Sequence, residues 1–215
     1  VITVYMAGNS TMSDKLLKDG HPEKGWGMIF PLYFKPGVKI ENHAVNGRST
    51  KSFIDEGRWD TIAARIKPGD YVIMEFGHND AKKDDPKRFA DAQTDYRKNL
   101  TRFIKETREK GGIPVLATPI VRRRFNEQNV FYDVHGDYPV VVRELSKEFD
   151  VVLLDLHKRT EDYIIYLGAE KSKQFYLHID AGDYASLPNG LKDDTHLSPM
   201  GAFRVCDFAA SEIKE

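Results

Sequence analysis

A chain of 215 residues, 40% hydrophobic and 30% charged, is long enough to bury the core of one domain and has the make-up of an ordinary globular protein. Its 32 basic and 33 acidic residues leave a formal charge of −1, which supplies no field for nucleic acid or for a membrane surface. No apolar run approaches the ~20 residues that cross a bilayer, and the single cysteine, Cys206, excludes an internal disulfide and a cysteine metal site.

The chain opens in an apolar, β-branched run, Val1–Met6, predicted as the first strand. It starts without an initiator Met or a leader, so a trimmed N-terminal piece is expected. Further strands are predicted at Val38–Ala44, Tyr71–Phe76, Pro114–Thr118 and Val151–Asp155. Most show little polar alternation, as strands buried on both faces of a parallel sheet do. A helix is predicted over Ser52–Ile66, stopped by Lys67-Pro68-Gly69-Asp70, and a longer one over Pro86–Lys110, ended by Gly111-Gly112. Tyr138–Phe149, Arg159–Leu167 and Pro199–Ile213 complete the helices, with Ser198 as N-cap and Pro199 at the first position of the last one. Gln174–Leu191, rich in Asp, Gly and Tyr, reads as an irregular substrate loop. Cys206, between Val205 and Phe208, reads as a packed residue. The alternation predicts one three-layer α/β domain over residues 1–215, with right-handed crossovers.

In such a domain, function gathers at the carboxyl ends of the strands. The first three strands end in Gly8-Asn9-Ser10, Asn46-Gly47-Arg48-Ser49 and Gly77-His78-Asn79-Asp80, which should share one sheet edge. Acyl transfer needs a held hydroxyl, a base, a carboxylate to orient the base, and donors for the oxyanion. Ser10 is the candidate nucleophile and His196 the candidate base. Asp193, three residues before His196, is close enough for a one-turn loop to bring its carboxylate to the imidazole, with Asp194 the local competitor. The Ser10 and Gly47 amides and the Asn79 side chain are the candidate oxyanion donors. Each residue also has a plainer reading. A serine after a strand is usually a turn or cap residue, Asp193-Asp194-Thr195-His196 could cap the last helix, and Gly47 and Gly77 could simply serve turns.

Taken together and in this order, the blocks resemble those of the SGNH (GDSL-type) hydrolases, whose four letters here are Ser10, Gly47, Asn79 and His196. Three longer stretches are similar to rhamnogalacturonan acetylesterases: residues 7–12, residues 46–53, and residues 118–125 followed by His135-Gly136-Asp137-Tyr138-Pro139. The resemblance implies a three-layer α/β/α, flavodoxin-like fold with a five-stranded parallel sheet. It implies a serine esterase that removes O-acetyl groups from pectic rhamnogalacturonan through an acetyl-serine intermediate. Ser10, Asp193 and His196 would be catalytic, with Ser10, Gly47 and Asn79 as the oxyanion hole. Neither metal nor cofactor is required, the substrate is an acetylated polysaccharide or oligosaccharide, and the protein is expected to be secreted or periplasmic. The usual Asp of the first block is replaced here by Asn9.

Arg122, Arg123 and Arg124 read either as a solvated charge run or as receptors for galacturonate carboxylates. His78, Trp26, Trp59 and Tyr184 are candidate sugar platforms, with core packing the rival reading for the two tryptophans. Other SGNH activities, on xylan, small acyl esters, thioesters or lipids, are the nearest alternative; no long apolar lid segment favours a lipase. Gly25-Trp26-Gly27 lacks the third glycine of a dinucleotide loop, and neither a Walker loop nor a Gly-x-Ser-x-Gly elbow occurs. Asp80, Asp193, Asp194 and His196 could alternatively gather a metal. A non-catalytic carbohydrate-binding relative is disfavoured, since all four catalytic positions are filled.

Overall fold

The computed structural model describes residues 1–213, so the last two residues of the expected domain lie outside the described residues. Five strands, β1 (Ile2–Gly8), β2 (Val38–Asn42), β3 (Tyr71–Glu75), β4 (Ile113–Ala117) and β5 (Val152–Leu154), pair in parallel in the order β2-β1-β3-β4-β5. The helices are α1 (Trp26–Ile29), α2 (Thr50–Asp55), α3 (Arg58–Ala63), α4 (Arg97–Glu109), α5 (Tyr138–Phe149), α6 (Leu156–Lys171) and α7 (Pro199–Ile213).

Successive side chains of a strand point to opposite faces. In β1, Val4 and Met6 join a core with Trp26 of α1, Ile164 of α6 and Val205 of α7. Tyr5 and Ala7 join a second core with Phe53, Ile62, Phe103 and Leu145 of α2 to α5. The sheet is therefore sandwiched between two helical layers, as expected from its lack of polar alternation. Cys206 is buried in the first core. From β1 the chain runs outward to β2, then back across to β3. This places a topological switch point at the carboxyl ends of β1 and β3, where the crevice of an open α/β sheet forms.

Several boundaries differ from the sequence expectation. The helix expected over Ser52–Ile66 is two short helices, because Gly57 adopts φ of +71° and breaks the ladder. Its start lies earlier, at a capping box in which the Ser49 hydroxyl accepts the Ser52 amide at 3.0 Å and the Ser52 hydroxyl accepts the Ser49 amide at 2.9 Å. The expected Pro86–Lys110 helix begins only after Asp91, whose carboxylate caps the Gln93 and Thr94 amides ahead of a wide π-type turn over Ala92–Tyr96. Helix α6 is longer than expected at both ends, capped by Asp155 and interrupted at Gly168. The α5 and α7 boundaries are as expected, and the Ser198 hydroxyl caps the Gly201 amide at 3.1 Å.

The expected irregular segment Gln174–Leu191 contains half of a two-stranded antiparallel ribbon, β6 (Tyr176–Ile179) with β7 (Leu191–Leu197). Leu177 pairs with Asp193 and Tyr176 with Leu197, so residues 194–196 bulge out of the ladder. Among the described residues, no helix is long and apolar enough to cross a membrane.

Candidate active site

Ser10 follows β1 in a tight turn, with the Asn9 carbonyl accepting the Met12 and Ser13 amides at 3.1 and 3.0 Å. Gly8 before it must be glycine, because a Cβ there would lie 2.8 Å from the Glu75 carbonyl oxygen of the neighbouring strand. Across the edge, the bulge of β7 curls back on itself. Asp193 Oδ1 accepts the Thr195 and His196 amides at 2.8 and 2.9 Å, and Asp193 Oδ2 lies 2.7 Å from His196 Nδ1. His196 Nε2 then lies 2.9 Å from Ser10 Oγ. The bulge thus supplies the local curl that brings a carboxylate to an imidazole three residues later.

Burial opposes the charge of Asp193, but the His196 ring and the two amides outweigh it and hold the carboxyl far below the usual range. Asp194 points elsewhere, to Arg123 at 2.9 Å and His178 Nε2 at 2.7 Å. The choice between the two aspartates is therefore made by the ribbon geometry.

The end of β2 is held against β1 beyond the strand itself: the His43 and Val45 amides donate to the Met6 and Gly8 carbonyls at 2.8 and 3.1 Å. Gly47 follows with φ of +75°, a conformation that favours glycine. Among the described residues, the Ser10 and Gly47 amides donate to no acceptor. Asn79 Nδ2 donates to the Arg48 carbonyl at 3.1 Å, which leaves its second hydrogen free, and Arg88 donates to Asn79 Oδ1 at 3.2 Å. Three N–H groups, on the loops that follow β1, β2 and β3, are thus left unengaged.

Beneath Ser10 lie groups that sequence reading missed. Lys15 Nζ donates to the Ser10 carbonyl at 2.7 Å, to Asn46 Oδ1 at 2.6 Å and to Ser13 Oγ at 2.9 Å, and pairs with Glu23 at 3.1 Å. Deeper, Glu75 is fully buried, and desolvation pushes its carboxyl up to about 7. It accepts Trp26 Nε1 at 3.0 Å and meets the Thr11 hydroxyl, which also lies 3.0 Å from Asn9 Oδ1. One hydroxyl proton cannot serve both Asn9 and Glu75. A protonated Glu75 resolves the count: it donates to Thr11, and Thr11 donates to Asn9. No pattern in the sequence marks Lys15 or Glu75, because each partner set is assembled from separate strand ends.

His78 is 4% exposed and neither ring nitrogen has a protein partner. Burial, helped by the nearby His135, Arg122 and His196, pushes it well below the usual imidazole range, so the ring is neutral. Arg122 donates to the Thr195 hydroxyl, lies close enough to Asp193 to be drawn to its carboxylate, and disfavours a proton on His78. Arg123 instead binds Ala169, Ser172 and Asp194, tying the bulge to the end of α6. Arg124 is more exposed and makes a long contact to Asp194 at 3.4 Å.

Neither Trp26 nor Trp59 is a sugar platform, since both are wholly buried. Trp26 meets Phe30 edge-on, and Trp59 stacks on Phe103 with centroids 4.2 Å apart. Tyr184, at 36% exposure in the turn of the ribbon, remains accessible. Asp80 is committed to the Thr50 amide and hydroxyl, away from Asp193. Among the described residues, no three His, Cys, Asp or Glu side chains gather as a metal ion would need.

The family model of GDSL-like lipases and acylhydrolases matches residues 6–202 of the chain. Rhamnogalacturonan acetylesterase RhgT of Bacillus subtilis (strain 168) is 39% identical over 214 residues, 100% of this chain and 90% of that protein. The probable rhamnogalacturonan acetylesterase YesY of the same organism is 32% identical over 212 residues, 99% of this chain and 92% of that protein. Among solved structures, protein YxiM of Bacillus subtilis superposes with a TM-score of 0.83 at 24% identity, over 99% of this chain and 56% of that one. That likeness bears on the fold alone, and this chain spans about half the length of that protein.

Proposed function

The chain belongs to the GDSL-like lipase/acylhydrolase family and is a serine carboxylic ester hydrolase, and from that premise we propose that it removes O-acetyl groups from pectic rhamnogalacturonan. Residues 1–215 act in this reading as one SGNH hydrolase domain. The observation that carries it is the relay from Asp193 through His196 to Ser10, at 2.7 and 2.9 Å, beside unengaged amides. The acetylated sugar comes from the named activity of the relatives that match nearly the whole chain.

Ser10 Oγ attacks the acetyl carbonyl carbon while His196 Nε2 takes its proton. Asp193 fixes the proton-bearing nitrogen as Nδ1 and stabilises the imidazolium. The carbonyl oxygen becomes an oxyanion, met by the Ser10 and Gly47 amides and by Asn79 Nδ2. Collapse expels the sugar hydroxyl, which receives the proton from His196, and leaves acetyl-serine. Water then attacks the acetyl group as His196 takes a proton from it. Acetate leaves and the proton returns to Ser10.

The neutral, unpaired His78 offers a hydrogen bond to a sugar hydroxyl. Arg122, with much of its guanidinium unengaged by the protein, suits a galacturonate carboxylate. Arg124 flanks it from a more exposed position. A polymeric plant cell-wall substrate implies a secreted or periplasmic enzyme. The test is acetate release from acetylated rhamnogalacturonan, acetylated homogalacturonan and acetylated xylan, with Ser10→Ala as control. Preference for rhamnogalacturonan is the expected result; equal or faster release from xylan would overturn the pectic assignment.

A further inference from the structure

A carboxamide has two faces of nearly equal shape and opposite chemistry. Asn79 can serve an oxyanion only with Nδ2 turned to the hole. Turned the other way, its carbonyl oxygen would face the developing negative charge and repel it. Two neighbours bear on that choice. The Arg48 backbone carbonyl lies 3.1 Å from Nδ2 and can only accept. The Arg88 guanidinium lies 3.2 Å from Oδ1 and can only donate. A flipped amide would set N–H against N–H and C=O against C=O, so both contacts select the same orientation.

We propose that Arg88 is a positioning residue of the oxyanion hole, locking the Asn79 carboxamide with its N–H toward the substrate and polarising it. The proposal rests on the reading of Asn79 as an oxyanion donor. Arg88 is itself held: its Nε donates to Asp85 at 2.5 Å, and the next turn is anchored by the Ala90 amide on the Asp80 carbonyl at 3.1 Å. The same guanidinium reaches toward the loop of the second donor. A Cβ built on Gly47 would lie 3.8 Å from the Arg88 nitrogen that binds Asn79. One side chain therefore touches the β3 loop that carries Asn79 and borders the β2 loop that carries Gly47. A cation on Oδ1 also withdraws charge from the amide, making Nδ2–H a stronger donor as the oxyanion forms.

A structural brace would lower activity through stability, whatever residue stands at position 79. A positioning role acts through Asn79 and disappears with it, which a double-mutant cycle detects. Arg88→Met and Arg88→Lys are made in the wild-type and Asn79→Ala backgrounds and assayed on 4-nitrophenyl acetate. That ester is neutral, so recognition of a substrate carboxylate does not enter. Arg88→Met is expected to lower kcat by about 10–100-fold, less than the on the order of 10²–10³-fold loss from Asn79→Ala. KM should move by under about twofold, and Lys should restore part of the loss. In the Asn79→Ala background, Arg88→Met should cost under about threefold more.

Equal losses in the two backgrounds, or unchanged kcat in Arg88→Met, would overturn the role of Arg88 while leaving the esterase reading intact. Full activity of Asn79→Ala would overturn the reading of Asn79, and this proposal with it. Thermal unfolding of each variant separates lost fold from lost positioning. Should Arg88→Met fail to fold, the Arg88→Lys pair completes the same cycle.

Discussion

Lys15 sets its ammonium nitrogen 2.7 Å from the carbonyl oxygen of Ser10. The same nitrogen reaches Asn46, the residue before Gly47, so one buried cation straps together the loops that carry Ser10 and Gly47. Its side chain is 7% exposed, and its charge is answered by Glu23. Lys15→Met strands Glu23 and removes a donor from the Ser10 carbonyl and from Asn46, which keeps the Ser13 hydroxyl at 2.6 Å. The expected result is a loss of roughly 2–3 kcal/mol in urea unfolding, below the value for a fully buried pair because Glu23 is partly solvated. An unchanged unfolding midpoint would show that the strap carries no stability.

The two adjacent aspartates should separate cleanly. Asp193→Asn leaves the shape but removes the acceptor that fixes the His196 tautomer, so turnover should fall on the order of 10³–10⁴-fold. Asp194→Asn loosens the contacts to Arg123, Arg124 and His178, and should change turnover less than about tenfold. Steady-state acetate release by both variants is the measurement. Comparable losses would contradict the assignment drawn from the bulge.

Arg122 should discriminate between substrates. Removing one charge-assisted contact is worth about 1.5 kcal/mol, roughly tenfold in kcat/KM. Arg122→Gln should therefore lower kcat/KM on the uronate polymer about tenfold more than on a small neutral acetyl ester. Equal losses on the two substrates would remove the carboxylate role.

Glu75 makes stability depend on pH with a definite sign. Its carboxyl is raised from 4.5 to about 7 in the folded protein. Between those values the native state keeps a proton that the unfolded chain has lost. The contribution is therefore whole below about 4.5, falls as pH rises, and is gone above about 7. His135, lowered to about 4 by burial, slopes the opposite way in part of that window, so the comparison must be between variants. Gln at position 75 reproduces the protonated acid, accepting from Trp26 and donating to Thr11. Relative to wild type, Glu75→Gln should gain stability between pH 5 and pH 8 in chemical unfolding. A pH-independent difference would mean that Glu75 is not protonated in the fold.

The central sheet was legible because Met6, Ile73 and Val115 lie in runs that are apolar on both sides, which only a doubly covered strand tolerates. The candidate positions Ser10, Gly47, Asn79 and His196 stood out through the order of their four blocks and the family resemblance, since each alone reads equally as a turn or cap residue. Asp193 was favoured over Asp194 by its place three residues before His196, but the means was not legible: the β7 bulge is what turns that carboxylate onto the ring. The break at Gly57 was hidden because Phe53, Trp59 and Ile62 keep an apolar stripe across two helices that face the same core. Trp26 and Trp59 as sugar platforms failed for the same reason: an indole reads alike in a core and on a surface until its neighbours are known. Arg88 left no signal because its meaning comes from the orientation of one amide nine residues earlier in the chain.

Ser10 as nucleophile is tested most directly by labelling the protein with a fluorophosphonate and mapping the modified peptide. A single adduct on Ser10, formed as acetate release disappears and absent in Ser10→Ala, is the predicted result. An adduct on another residue, or acetate release that survives in Ser10→Ala, would contradict it.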